Sequence, residues 1–81
     1  MNFTQHALNK LELYEISPDA VEQGSPIHTF YDEVQNTDIK IVQIKEILFV
    51  LIMDPTTQNL ITLYRTDQRT IDNRRKAKRW T

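Results

Sequence analysis

Residues 39–66 read IKIVQIKEILFVLIMDPTTQNLITLYRT, and this stretch decides the fold. It predicts three β-strands, at residues 39–44, 47–53 and 60–66. Lys45-Glu46 allows only a tight hairpin, and the polar residues 54–59 form a second short connection, so neighbouring strands run antiparallel. The middle strand is apolar at every position, and we therefore expect it to be central and covered on both faces.

The residues before this stretch add one strand and two helices. Residues 28–34 (HTFYDEV) alternate imperfectly and predict a strand that precedes the other three. Thr4 is expected to cap a first helix, whose apolar stripe would consist of Ala7, Leu8, Leu11 and Tyr14. Ser17-Pro18-Asp19 predicts the start of a short second helix, and Gly24, the only glycine, its left-handed end.

The residues after this stretch predict a C-terminal helix over 70–80, capped by Thr70 and anchored by Trp80. Arginines and lysines fill its last turns, where positive charge suits the helix dipole. The fold class that follows is α+β, with two N-terminal helices packed on a four-stranded antiparallel sheet and a C-terminal basic helix. A chain of 81 residues has room for one domain, spanning residues 1–81.

Composition excludes several classes of site. The chain has no cysteine, which excludes disulfides, thiolate zinc sites and cysteine nucleophiles, and one glycine cannot form a glycine-rich phosphate loop. The two histidines, His6 and His28, lie far apart, so we expect no metal and no cofactor. The longest apolar run is residues 47–53, against about 20 residues for a bilayer span. With no leader visible in residues 1–4, we expect a cytoplasmic protein without a membrane partner.

The net charge of −1 conceals a strong division of charge along the chain. Residues 1–38 carry a net charge of −6, whereas residues 39–81 carry a net charge of +5. Most of the positive charge lies after residue 68, and a chain divided in this way favours a charged partner such as RNA. The alternatives are that the acidic and basic parts pair with each other, or that the last helix is simply solvated.

Residues 64–70 (YRTDQRT) gather side chains suited to a phosphodiester, because arginine binds phosphate oxygens bidentately and tyrosine stacks on a base. A ribonuclease site would use His6 as acid or base, with Arg65 and Arg69 stabilising the phosphorane-like charge. The residues expected to hold RNA are Lys10, Tyr64, Thr66, Thr70, Arg74, Arg75 and Lys78. The alternative is that Tyr64 packs on the sheet and that Arg65 and Arg69 pair with the acidic helices.

Three segments resemble a small uncharacterised bacterial domain family. Residues 3–7 (FTQHA) look like its F-T-x-H-A start, residues 16–21 (ISPDAV) like its I-S-x-x-x-V segment, and residues 60–65 (LITLYR) like its final V-I-T-V-Y strand. The family is allied to the RelE and BrnT toxins, which are small ribonucleases. The resemblance implies a cleft between the first helix and the sheet, with His6 at the family's histidine position. The first helix departs from the family pattern, because Lys10 is its only basic residue.

Two hypotheses about function follow. The first is a RelE/BrnT-like toxin that cleaves RNA without a metal and has an antitoxin protein as its partner. The second is a non-catalytic binding module of the same fold, whose basic C-terminal helix docks a protein or a nucleic acid. A homodimer is compatible with either hypothesis.

Overall fold

A computed structural model describes all 81 residues as one antiparallel sheet with helices on both faces. The elements in chain order are α1 (Gln5–Leu13), α2 (Pro18–Gln23), β1 (His28–Asp32), β2 (Thr37–Ile44), β3 (Ile47–Met53), β4 (Leu60–Thr66) and α3 (Gln68–Lys76). The four strands form a meander in the order β1-β2-β3-β4. The predicted α+β class, with its two N-terminal helices, four-stranded antiparallel sheet and C-terminal basic helix, is therefore confirmed.

The β2–β3 hairpin has the tight connection that the sequence predicts. Ile44 pairs with Ile47, and the two residues between them, Lys45 and Glu46, have φ angles of 52° and 66°. Positive φ at both central positions is typical of a two-residue type I′ turn, whose twist matches that of the flanking strands. The predicted central position of β3 is also confirmed, because it pairs with β2 on one side and β4 on the other.

Helices α1 and α2 cover one face of the sheet, which we call the α1 face. Ala7 and Leu11 of α1 and Val21 of α2 are buried there against strand residues that include Leu51 and Leu63. The Thr4 hydroxyl accepts from the backbone N–H of Ala7 at 3.1 Å and donates to the carbonyl of Ile61 at 2.8 Å. One side chain thus caps α1, as predicted, and fixes its start against β4.

Helix α3 covers part of the opposite face, which we call the α3 face. Ile71 is fully buried and Trp80 is 3 % exposed, and both pack with Ile39, Ile41 and Val50. Trp80 lies beyond the end of α3 and forms a β-bridge with Asp32. The prediction that Trp80 anchors the C-terminal segment is confirmed, and the sheet separates α3 from the two N-terminal helices.

Four local predictions are wrong. Leu8 is 37 % exposed, because the side of α1 that meets the sheet carries Ala7, Leu11 and the partly buried Tyr14. Gly24 has an extended backbone with φ of −69°. Strand β1 ends at Asp32, where a turn begins, and the cap of α3 is Asp67, whose carboxylate accepts from the N–H of Thr70 at 2.7 Å.

None of the three helices combines the length and the hydrophobicity needed to cross a bilayer.

Candidate functional site

The larger of two cavities in the structure, with a volume of about 420 Å³, opens on the α3 face. Strands β3 and β4 contribute Ile52, Ile61, Thr62 and Tyr64 to its lining. The C-terminal segment contributes Arg74, Arg79 and Trp80. The cavity therefore combines an apolar sheet surface with two guanidinium groups.

A β-bulge in β4 helps to shape this cavity. Ile52 pairs with Thr62 and Met53 pairs with Leu60, so Ile61 is an extra residue without a partner on β3. A bulge interrupts the strict alternation of side chains between the two faces of a sheet. Ile61 and Thr62 consequently both line the cavity although they are adjacent in the chain.

Asp32 and Arg79 form an ion pair at the cavity, in which the carboxylate is buried and the Arg79 side chain is 39 % exposed. The Asp32 carboxylate, with a side chain only 4 % exposed, accepts from Arg79 Nε at 3.2 Å and from the backbone N–H groups of Val34 and Gln35. Burial alone would raise the pKa of Asp32, but the hydrogen bond from Gln35 N–H, together with Arg79, holds that pKa below its usual value. Asp32 is therefore ionised at neutral pH, and it positions Arg79.

Arg74 reaches the same cavity without a carboxylate partner. Its guanidinium carbon lies 5.5 Å from the centre of the Trp80 ring, a cation–π distance. The two ion pairs of the structure join Asp32 to Arg79 and Glu22 to the amino terminus, so Arg74 takes part in neither. Its positive charge is held by stacking alone.

Two buried polar atoms at the cavity lack a hydrogen-bond partner, namely Arg74 Nε and Thr37 Oγ1. No other buried side-chain nitrogen or oxygen of the chain is unsatisfied in this way. A buried group without a partner costs about 1–3 kcal/mol, so native proteins retain few of them. Their coincidence in one cavity marks it as the candidate functional site.

Tyr64 adds a neutral hydroxyl to this site. Burial raises the pKa of Tyr64 above its usual value, although the nearby charges of Arg74 and Arg79 act in the opposite direction. The phenol is consequently protonated at neutral pH and can donate a hydrogen bond to an anion. This half-buried ring is one of the candidate RNA-binding residues that the sequence predicted, and Arg74 is another.

A row of stacked rings continues the α3 face away from the cavity. Phe30 stacks on Trp80 at 5.7 Å between ring centres, and His28 stacks on Phe30 at 5.8 Å. The guanidinium of Arg75 lies 5.7 Å from the Phe30 ring centre. Arg74 and Arg75, which are adjacent in α3, thus stack on the adjacent rings of Trp80 and Phe30.

The helices on the two faces carry opposite charge. The acidic residues of α1 and α2 lie on the α1 face, whereas six basic residues lie in or directly after α3, namely Arg69, Arg74, Arg75, Lys76, Lys78 and Arg79. Among these six, Arg79 alone forms an ion pair. The alternative in which the acidic and basic parts pair with each other is wrong except for Asp32 with Arg79, because the sheet stands between them.

The sequence-predicted site residues are divided between the faces: of the three predicted catalytic residues, His6 and Arg65 lie on the α1 face, whereas Arg69 lies in α3 on the other. Arg65 pairs with Phe49 and lies on the α1 face with His6 and Lys10, whereas Tyr64 pairs with Val50 and lies on the α3 face. Thr66 follows Tyr64 on the α3 face by strand alternation. Within and beyond α3, Arg69 and Thr70 occupy the first turn, and Arg75 and Lys78 are exposed.

The cleft expected between the first helix and the sheet is absent. Ala7, Leu11 and Leu63 pack together and fill that interface, and neither cavity lies there. The second cavity, of about 300 Å³, lies over β1 and β2 and includes Tyr31 and Lys40 in its lining. The expectation of a cleft is therefore wrong, because close packing of small and branched side chains leaves no space beside α1.

Sequence reasoning missed Asp32, Thr37 and Arg79 as members of a site. In the sequence, Arg79 is one of several neighbouring basic residues. Asp32 is an acidic residue in a predicted strand that also contains Phe30. Nothing in the sequence joins residues 47 positions apart. No group of three or more histidine or carboxylate side chains is arranged to hold a metal ion.

Comparison with protein-family models, with curated proteins and with solved structures finds no match to this chain. The relationship to the RelE and BrnT toxins stays a prediction that rests on the three short sequence segments.

Proposed function

We propose that this protein binds single-stranded RNA on the α3 face. The observation that carries the proposal is a basic face of five cations without ion-pair partners, consisting of Arg69, Arg74, Arg75, Lys76 and Lys78. Cations clustered on one face attract the phosphate backbone and release its counterions. The acidic helices lie behind the sheet, where they do not compete for these cations.

The adjoining cavity favours a single strand over a duplex as the ligand. Unpaired bases can be splayed into a pocket and stacked on aromatic or arginine side chains, whereas duplex RNA is recognised mainly by its shape. Tyr64 offers a half-buried ring and Arg74 a planar cation within this cavity. An acidic peptide would satisfy the cations but would make no use of the stacking surfaces.

The geometry supports binding rather than cleavage. His6 is exposed on α1 with Arg65 on the same face, but Arg69 and the cations beside the cavity lie on the other side of the sheet. An acid or base must come within hydrogen-bonding reach of the proton that it transfers. The metal-independent ribonuclease, its antitoxin partner and a homodimer stay predictions, and the binding assay below includes a test for cleavage.

The proposal is tested by fluorescence anisotropy with a labelled 12-nucleotide single-stranded RNA. If all five unpaired cations contact phosphates, log K falls with log salt with a slope of about −3 to −4, so affinity drops about 100-fold between 50 and 200 mM salt. The double variant Arg75→Gln/Lys78→Gln should make this slope shallower by about 1.4. Lys10→Gln/Lys45→Gln, a matched control that removes the same charge elsewhere, should leave the slope unchanged.

The proposal fails if the RNA does not bind at 50 mM salt, or if both double variants weaken binding equally. It also fails if polyglutamate displaces the RNA at equal charge concentration, since that would indicate an acidic protein as the partner. Gel analysis of the same RNA after incubation in EDTA tests the ribonuclease prediction. Cleavage that persists in the wild type and disappears in His6→Ala would support catalysis over simple binding.

A further inference from the structure

We infer that the 420 Å³ cavity on the α3 face binds one nucleotide at the phosphorylated end of an RNA strand, with its phosphate between Arg74 and Arg79. This inference rests on the proposed function and assigns the cavity a role distinct from that of the basic face. The basic face would follow the backbone of any strand. The cavity would recognise the terminal phosphate and the nucleoside attached to it.

The charges in the cavity suit a phosphate monoester. Arg74 and Arg79 contribute two positive charges and Asp32 one negative charge, and all three line the cavity. The Asp32 carboxylate already accepts three hydrogen bonds, and Arg79 uses only Nε for this pair. The Nη groups of Arg79 make no hydrogen bond and remain available to an oxygen of the ligand. A terminal monoester carries up to two negative charges and three free oxygens, so it can engage both guanidinium groups.

The two unsatisfied atoms provide a second, independent argument. Arg74 Nε and Thr37 Oγ1 are buried without partners beside the cavity, and Thr37 as a whole is 8 % exposed. A small rotation of the Arg74 guanidinium over the Trp80 ring would turn Nε toward the cavity. A phosphate oxygen there would then satisfy an atom that the free protein leaves without a hydrogen bond.

The size and the apolar lining account for the nucleoside. Small-molecule sites have volumes of about 300–1,000 Å³ and are mostly apolar with a few polar groups that orient the ligand. The observed 420 Å³ lies near the lower end of that range and suits one nucleotide. Ile52, Ile61 and Tyr64 present apolar surface to a base, and Thr62 adds a polar side chain to the same lining.

The inference is tested by calorimetric titration with adenosine 5′-monophosphate, adenosine and inorganic phosphate. We expect the monophosphate to bind at least tenfold more tightly than either of the other two. Arg74→Gln should weaken its binding about tenfold or more, as expected when a charged hydrogen-bond donor is lost. Lys45→Gln, which removes the same charge at the β2–β3 turn, outside both the cavity and the basic face, should change binding less than about threefold.

A second variant keeps the test valid if Arg74→Gln unfolds. Thr37→Val preserves the shape of the side chain and removes a buried hydroxyl that has no partner. The thermal midpoint should stay the same or rise, while binding of the monophosphate weakens. A fall in the midpoint with unchanged binding would show that Thr37 is purely structural and would overturn its role in the site.

The outcomes separate this inference from the proposed function. If RNA binds with the expected salt slope but the monophosphate does not bind, the cavity assignment fails and the RNA proposal stands. If the monophosphate binds and RNA does not, the cavity is a site for a free nucleotide, and both the RNA proposal and the recognition of a strand end fail. Equal binding of inorganic phosphate and the monophosphate would overturn the nucleotide assignment. Strands phosphorylated at the 5′ end, at the 3′ end or at neither provide the final comparison, and equal affinity of all three would refute recognition of a strand end.

Discussion

Replacing Trp80 by alanine should destabilise the whole fold, although the residue is the penultimate one of the chain. Its side chain is 3 % exposed, stacks on Phe30 and supports the guanidinium of Arg74. Substituting alanine for a buried tryptophan typically costs about 3–5 kcal/mol, and loss of the cation–π contact adds about 0.5–2 kcal/mol. A chain of this length has a total stability of about 4–12 kcal/mol.

The thermal midpoint should therefore fall steeply in Trp80→Ala. A loss of about 4 kcal/mol corresponds to about 16–32 °C in a domain of this size. Far-ultraviolet circular dichroism measures the midpoint without relying on tryptophan fluorescence, since Trp80 is the only tryptophan. Trp80→Phe retains a ring over Phe30 and should lose less than half as much stability. A midpoint within about 3 °C of the wild type for Trp80→Ala would refute the packing of Trp80 on the α3 face.

Two further predictions concern pH and the β2–β3 turn. Because the pKa of Asp32 is lowered in the folded state, its stabilising contribution should be complete above pH 4 and disappear as the pH falls further, through the folded-state pKa. Urea unfolding between pH 7 and 3 should show this loss in the wild type and a smaller loss in Asp32→Asn, and parallel curves would contradict it. Glu46→Gly should raise the free energy of unfolding by about 0.5–1 kcal/mol, and the urea midpoint with it, because glycine adopts positive φ without strain. An unchanged midpoint would show that Glu46 is not strained.

The sheet could be predicted because its signals are local. The apolar run of β3 lies between two connections of turn-forming residues, and β4 alternates through Thr62 and Tyr64, so both strands begin and end where the pattern predicts. Ser17 likewise caps α2, because its hydroxyl oxygen accepts a hydrogen bond from the N–H of Ala20. The boundary of α3 was displaced because Asp67 and Thr70 are both competent caps, and the helix begins at the earlier one.

The site was predicted less well, for two different reasons. The separation of Tyr64 from Arg65 follows from strand alternation and was available in the sequence, since adjacent strand residues point to opposite faces. The cavity itself could not be predicted from the sequence, because it forms only when α3 covers one particular face of the sheet. That choice brings Arg79 to Asp32 and leaves Thr37 unsatisfied, and both are contacts between residues distant in the chain.

The structure also links the stability of the fold to the binding proposed for α3. Ile71 and Trp80 pack on the α3 face, while five of the six basic residues in the same segment have no ion-pair partner. Positive charges that lie so close to one another repel. The packing of Ile71 and Trp80 therefore holds these basic residues in an arrangement that electrostatic repulsion opposes. An anion bound to these residues would relieve that repulsion and would stabilise the folded state by mass action. A segment needed only for packing would gain nothing from so many unpaired cations. Their number is therefore the physical reason to test α3 for an anionic ligand before any other surface.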